Sequence, residues 1–443
     1  MGRRNRSSTY DEGILKRGLS RRLPSFGSAA AAAALGLTVL VPPALAAGSD
    51  SPIKFSGLID TGIYATAKNP GTNSVNAGQL FTDKHDQWVL NQAMLTAQKA
   101  IDSGSKNFNW GFNLQGFYGS DARYIHSIGL WDHNTDGRNQ FAMTQANLQA
   151  HVPIPGTGGT DVTAGLFATP LGVEVTPANG NYFYSHNYIF NYGLPFEQTG
   201  LLTVTHLNPT VDLYLGVDTG VNTTFGTRGD NNNAISGTAG FGLNNLDGGK
   251  ITIIALSHFG PENPLLRTSQ PGGNSNADNT GVYLNDVNLT YKPNAKWTWI
   301  TEFNYIRNDQ AHASAGGLSE TAAYAWNDWL TLAARGEIYA DPNHFFVTTI
   351  PDNNGFVDGE RGITPSQASL APSQGTTYSE VTLGADIKLP NMPAMLAGAM
   401  IRPEVRYDQS LSGNAAYNYD SAGNPTSMNQ FSTGMDLVVP VSF

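Results

Sequence analysis

Cysteine is missing from all 443 residues. No disulfide framework and no thiolate metal site can therefore be built. Basic residues are scarce as well: 25 Lys and Arg stand against 35 Asp and Glu, a formal charge of −10. So acidic a chain is a poor partner for the phosphates of nucleic acid, and no nucleic-acid role is expected. Long apolar runs are lacking after residue 46, where nothing approaches the ~20 residues a spanning helix needs. If the chain lives in a membrane it must cross as a closed barrel, the other structure that satisfies every backbone group in lipid. Enzyme signatures are equally thin. No P-loop, G-x-S-x-G or H-E-x-x-H occurs. The nine histidines are scattered, and His126 and His133 lack metal-ligand spacing. Asp352, Asn354, Asp358 and Glu360 crowd one segment without the EF-hand spacing, which reads as a solvated loop or an incidental calcium binder. Neither a cofactor, a dedicated metal nor catalysis is expected.

What is present begins with an export signal. Arg3, Arg4, Arg6, Lys16, Arg17, Arg21 and Arg22 form a basic n-region ahead of an apolar run over 29–41. The small-residue site Ala44-Leu45-Ala46 then predicts cleavage after Ala46, so 1–46 is expected to be a signal peptide and 47–443 the mature domain. Cleavage would remove seven of the 25 basic and two of the 35 acidic residues, leaving a net charge near −15.

The mature chain alternates. Around 107–118, Phe108, Trp110, Phe112 and Leu114 fall on one face, while Asn109, Gly111, Asn113 and Gln115 fall on the other. The last strand repeats this period of two, with Phe431, Met435, Leu437, Val439 and Phe443 opposite Ser432, Asp436 and Ser442. Such alternation is expected where one face meets lipid and the other meets water. About sixteen segments of roughly ten residues share it, the length a tilted spanning strand needs. Short Gly/Pro/Asn/Asp turns alternate with long loops between them, as at 208–210 and 327–328 against 119–138, 170–199 and 341–377. The expected fold is all-β: a transmembrane antiparallel up-and-down barrel of about 16 strands, with short periplasmic turns and long extracellular loops.

Four pieces of the chain resemble the OmpL-like β-barrel porin family, putative β-barrel porin-2. They are Gly165 to Glu174 with the Asn/Tyr-rich stretch that follows, the strand around Ala333 to Asp341, Ile401-Arg402-Pro403-Glu404-Val405-Arg406-Tyr407-Asp408, and the terminal strand. The order of these pieces carries the resemblance, since each alone is weak. It implies a Gram-negative outer-membrane channel for small hydrophilic solutes. It also implies lipid and lipopolysaccharide around the barrel, and a terminal aromatic, Phe443, that signals to the outer-membrane assembly machinery. Porins of this strand number often form trimers, and a homotrimer is carried only as that expectation.

Two sets of residues are candidates for function. Arg402, Glu404, Arg406 and Asp408 lie two apart on one strand face, as do Arg335 and Glu337. Turning the basic groups to lipid would cost roughly 2–4 kcal/mol each at the midplane, so these faces belong in the lumen, beside Asp386, Lys388 and Asp436. The ladder could pair across strands and stiffen the wall, or set a transverse field that screens solutes. The second set is the segment 170–199, by count the third long loop, the one that folds inward in general porins. It carries Glu174 and Glu197 with Tyr182, Phe183, Tyr184, Tyr188, Phe190 and Tyr192, rings that could either track solutes or pin the loop to the wall. The leading reading is a passive channel filtered by the inserted loop and the ladder. The alternatives are a non-conducting structural or receptor barrel, and a barrel enzyme.

Overall fold

A computed structural model describes residues 52–68, 75–133, 135–226, 228–266, 274–363 and 369–443. The expected signal peptide lies outside them. The strands in chain order are β1 Lys54–Thr66, β2 Gln87–Lys99, β3 Asn109–Gly119, β4 Gln140–Val152, β5 Thr160–Ala168 and β6 Glu197–His206. Then come β7 Val211–Val221, β8 Ser236–Leu246, β9 Ile251–Pro261, β10 Gly281–Tyr291, β11 Trp297–Asn308 and β12 Ala313–Ala325. The rest are β13 Leu330–Asp341, β14 Thr376–Lys388, β15 Met400–Ser410, β16 Tyr417–Tyr419, β17 Pro425–Ser427 and β18 Asn429–Ser442. Each of β1 to β14 pairs antiparallel with the next, and β18 closes the barrel between β15 and β1. Sixteen strands thus leave no free edge. The pair β16–β17 is a separate hairpin in the last external loop.

The period of two decides which way side chains point. On β18, Gln430, Ser432, Asp436 and Val438 are buried inside, while Phe431 and Met435 are exposed outside. On β3, Trp110, Leu114 and Tyr118 face out, and Asn109, Asn113 and Gln115 face in. Trp297, Trp299, Trp326 and Trp329 stay exposed near the short-turn end, where an interfacial girdle belongs.

The connections at one end are short, several of four or five residues, including 207–210, 247–250 and 292–296. Most of those at the other end are long: 67–86, 120–139, 169–196, 262–280, 342–375 and 411–428. One connection breaks the expected alternation. Strand β12 begins at Ala313, so the external link 309–312 is a tight turn. The run Ala313-Ser314-Ala315-Gly316-Gly317 is small on both faces and carries no period for a sequence reading to find. Short helices lie in three external loops: α1 Ala122–Ile125, α2 Tyr188–Tyr192 and α3 Gly355–Arg361. The last takes in Asp358 and Glu360, so the segment expected to be solvated is partly a packed helix.

Candidate functional site

The third external loop, 169–196, lies inside the barrel. Its residues Tyr188, Ile189 and Leu171 are buried against Leu256, Leu284 and Ile306 from β9, β10 and β11. A loop placed there must give its backbone N–H and C=O groups new partners, because water is displaced. The inward charges of the facing strands supply them.

Arg402 forks onto Asp436 across the β15–β18 pair, and its Nη1 donates to Ala178 O at 2.8 Å and Asn181 O at 2.7 Å in the loop. Arg335 holds Glu380 at 2.5 Å and Glu174 at 2.6 Å, and donates to Ser185 O at 3.0 Å. Arg406 binds Asp408 at 2.7 Å and donates to His186 O at 2.7 Å. The acids accept from the same stretch. Glu404 takes the N–H groups of Tyr184 and Ser185, at 2.8 and 3.1 Å. Glu337 takes those of Tyr188 and Ile189, at 2.6 and 2.9 Å, as the first turn of α2 presents them. Asp286 and Glu302 receive Gly172 and Val173. Three guanidinium groups therefore grip loop carbonyls while four carboxylates grip loop amides.

Small wall residues make room. A Cβ on Gly62 would lie 2.7 Å from the Tyr184 ring, and one on Gly384 would lie 3.0 Å from Phe183. Next to β1 the loop also reaches β2, where a bulge turns both Asn91 and Gln92 inward. Tyr184 donates to Asn91 at 2.9 Å, and Gln92 donates to Thr176 O at 2.7 Å. Within the loop, Glu174 also binds His186 at 2.7 Å. Burial works to raise the Glu174 carboxyl, but Arg335 and His186 outweigh it and hold the group down at about 2.

The ladder residues Arg335, Glu337, Arg402, Glu404, Arg406, Asp408 and Asp436 meet in one wall. Asp386 lies lower on β14, half-buried, and Lys388 is exposed at the periplasmic end of that strand. Glu197 stands apart. It opens β6 and accepts from Ser127 of the second loop. Phe443 follows the last residue of β18 and is 43% exposed. Sequence reasoning passed over Asp60, Asp286, Glu302 and Glu380. Each is in phase with inward neighbours, but each is the lone acid on its strand's inner face at that height, and only register joins it to the set. Among the described residues no His, Asp and Glu cluster is arranged to hold a metal.

A second structural layer covers the outer end. Asp83 of the first loop binds Arg123 and Arg138 of the second. Arg361 of α3 binds Asp132, and His133 meets Asp358 at 2.9 Å. Lumenal side chains at this level, such as Phe117, Thr144, Gln198 and His258, are all fully buried.

A closed sixteen-strand barrel with lipid-suited outer residues, a polar interior and an inward third loop is porin architecture. The family model "Putative beta-barrel porin-2, OmpL-like" matches residues 52–441. The chain belongs to that family. Solved barrels give the same fold at low identity. The outer membrane channel DcaP of Acinetobacter baumannii superposes with a TM-score of 0.51 at 11% identity, covering 88% of this chain and 97% of that one. An anion-selective porin from Comamonas acidovorans gives 0.50 at 11%, over 88% and 99%. Salmonella typhi OmpF gives 0.50 at 9%, over 88% and 97%. No curated protein matches the sequence. The barrel is thus a porin-family protein of the bacterial outer membrane.

Proposed function

We propose that this barrel is a passive channel for small hydrophilic solutes, with the third loop as its constriction. The observation that carries the reading is the inner surface. A barrel whose strands turn Asp, Glu, Arg, Asn and Gln inward encloses a space suited to water, and the porin family uses such spaces for diffusion. In this proposal the charge ladder acts first as the frame that fixes the loop, because its donors and acceptors are spent on loop backbone. Its net field on passing solutes is secondary. The signal peptide at 1–46, release at the inner membrane and assembly through Phe443 complete the reading.

A second reading is favoured by one specific observation. The outer half of the lumen is filled by loops, as it would be in a plugged receptor barrel. Reconstitution in planar bilayers separates the two. Discrete conductance steps from folded protein support the channel. Their absence, under conditions where the barrel shows heat-modifiable mobility, overturns it.

A further inference from the structure

Below the third loop the lumen has a second wall, whose side chains the loop does not hydrogen-bond. On β2, β3 and β4 the inward positions below the loop are Thr96, Gln98, Asn113, Gln115, Gln145 and Gln149, all half-buried. None of them ionises. A bulge in β4 between the levels of Gln115 and Gly116 turns Thr144 and Gln145 inward together. The amides are oriented by one another. Gln115 donates to Thr96 at 2.9 Å and accepts from Thr144 at 2.8 Å. Gln149 donates to Asn147 at 3.2 Å, and Asn147 to Gln145 at 2.8 Å. The Asn113 carbonyl oxygen meets no protein donor.

Register carries this surface into an apolar one. Gln149 stands opposite Thr163, which stands opposite Leu202 on β6. Beside Leu202 the inward side chains are Val204, Tyr214 of β7 and Ile254 of β9, again half-buried. Beneath them a cavity of about 670 Å³ lies among the periplasmic turns, lined by Ser103, Thr157, His206, Asp212 and Asn244. Among the described residues, carboxylates and imidazoles on this side appear at its rims, as His206 and Asp161 below and Asp218 and His258 above, and not between them.

We infer that this wall is the solute path and that it suits neutral polyhydroxylated molecules, saccharides and polyols of one or two rings, over ions of equal size. The inference rests on the channel reading above. A carboxamide offers a donor and an acceptor at once, which is what a hydroxyl needs. It offers an ion no net charge. The neighbouring aliphatic and tyrosine strip accepts the C–H face of a sugar ring, which an inorganic ion or a fully solvated acid lacks. The three lumenal arginines are paired with carboxylates, and Glu337, Glu404, Asp286 and Glu302 accept from loop amides, so this charged surface is turned to the loop and not to the neutral wall.

The test compares glucose, gluconate and glucosamine, which share a carbon skeleton and differ in charge, in proteoliposomes containing the folded full-length mature barrel. Glucose should enter fastest, by roughly two- to tenfold, the discrimination that one or two net hydrogen bonds supply. Asn113→Asp with Gln149→Glu should shift the preference toward glucosamine. Asn113→Leu with Gln149→Leu should slow glucose while heat-modifiable mobility is retained. Entry of none of the three overturns the channel reading itself. Equal rates for all three, or faster entry of either ion, leave a channel but overturn the neutral path. Unchanged discrimination in the folded variants overturns it too.

Discussion

The two walls of this barrel are built on the same alternation and behave in opposite ways. From β10 round through β15, β18 and β1, the inward side chains include all the acids and arginines of the ladder, almost wholly buried, with Arg335, Arg402, Arg406, Glu380 and Asp436 each 2% exposed or less. From β2 to β9 they are amides, glycines and aliphatics that remain half-buried below the loop. The outer faces are alike, because lipid asks only for apolar side chains. The difference is that charge must be spent. A buried guanidinium or carboxylate demands hydrogen-bonded partners, and a loop backbone provides many in a small volume. A neutral amide can remain wet. The charged wall therefore holds the loop, and the neutral wall keeps the space.

The largest effect expected from this contrast is on stability. Removing one partner of a buried, hydrogen-bonded ion pair leaves the other charge stranded, typically costing about 3–5 kcal/mol. Arg402→Met should destabilise the barrel by about that much, since it strands Asp436 and two loop carbonyls. Adding Asp436→Leu should recover a large part, as apolar replacement of both members often does. Gln149→Ala on the other wall should cost under about 1 kcal/mol. Urea unfolding in detergent, read by electrophoretic mobility, ranks the three. If Arg402→Met and Gln149→Ala prove equal, the walls do not differ in the way described.

Next in size is a steric wedge. A Cβ on Gly434 would lie 2.3 Å from the Tyr64 ring, and one on Gly62 would lie 2.7 Å from Tyr184 and from a backbone carbonyl. Overpacking of this kind costs about 1–3 kcal/mol, and at Gly62 it acts on the loop. Gly62→Ala should loosen loop 3 and raise single-channel conductance. The same change at Gly216, on the neutral wall, meets nothing closer than 3.2 Å and should leave conductance within the spread of the parent.

How much of this was legible beforehand depends on distance along the chain. The strands were readable because their period is local, and so was the inward direction of Arg402, Glu404, Arg406 and Asp408, four charges in phase on one strand. Asp60, Glu302 and Glu380 were not, because each is a single acid whose importance comes from a neighbour strand's register. The docking of loop 3 was beyond any local pattern. Glu404 meets Ser185 across 219 residues and Glu337 meets Ile189 across 148. The division into two walls was also hidden. The amides of β3 were visible as a polar face, but nothing in the sequence says that the loop docks on β13 to β15 and leaves the lower part of β3 open.

A third prediction sets the loop 3 dock against the outer cap by pH. Glu174 has its pKa held down at about 2, so its contribution is present above the ordinary carboxylate range and is lost as pH falls from about 4.5 toward 2. The change corresponds to roughly 3 kcal/mol at full protonation. Glu360 in α3 goes the other way. Burial raises its carboxyl well above the ordinary value, and Glu262 adds to this despite the Asn222 hydrogen bond. Its contribution is present in acid and is lost as pH rises through that raised value. The absence of native cysteine makes single-site spin labels easy to place. A label on Asn179→Cys should gain mobility in acid, and one on Gly359→Cys should gain it as pH rises. Parallel responses would mean that the two loops move as one body.

The smallest effect belongs to the latch between α3 and the second loop. Arg361 grips Asp132, but its side chain is 25% exposed, so water and salt screen the pair. With Asp132 buried and Arg361 partly exposed, the pair contributes on the order of 1 kcal/mol, small against the unfolding of the whole barrel. Among the described residues the latch stands beside the His133–Asp358 contact as a charged link between the seventh and second loops. A change of 1 kcal/mol in a two-state lid is a five- to sixfold change in its open population. Arg361→Gln should therefore leave the urea midpoint unmoved while raising the frequency of openings in bilayer records, and high salt should mimic it in the parent. Arg335, gripped on the charged wall with no solvent access, should show no such salt dependence. That contrast tests whether exposure, and not the mere presence of an ion pair, sets which parts of the lumen can move.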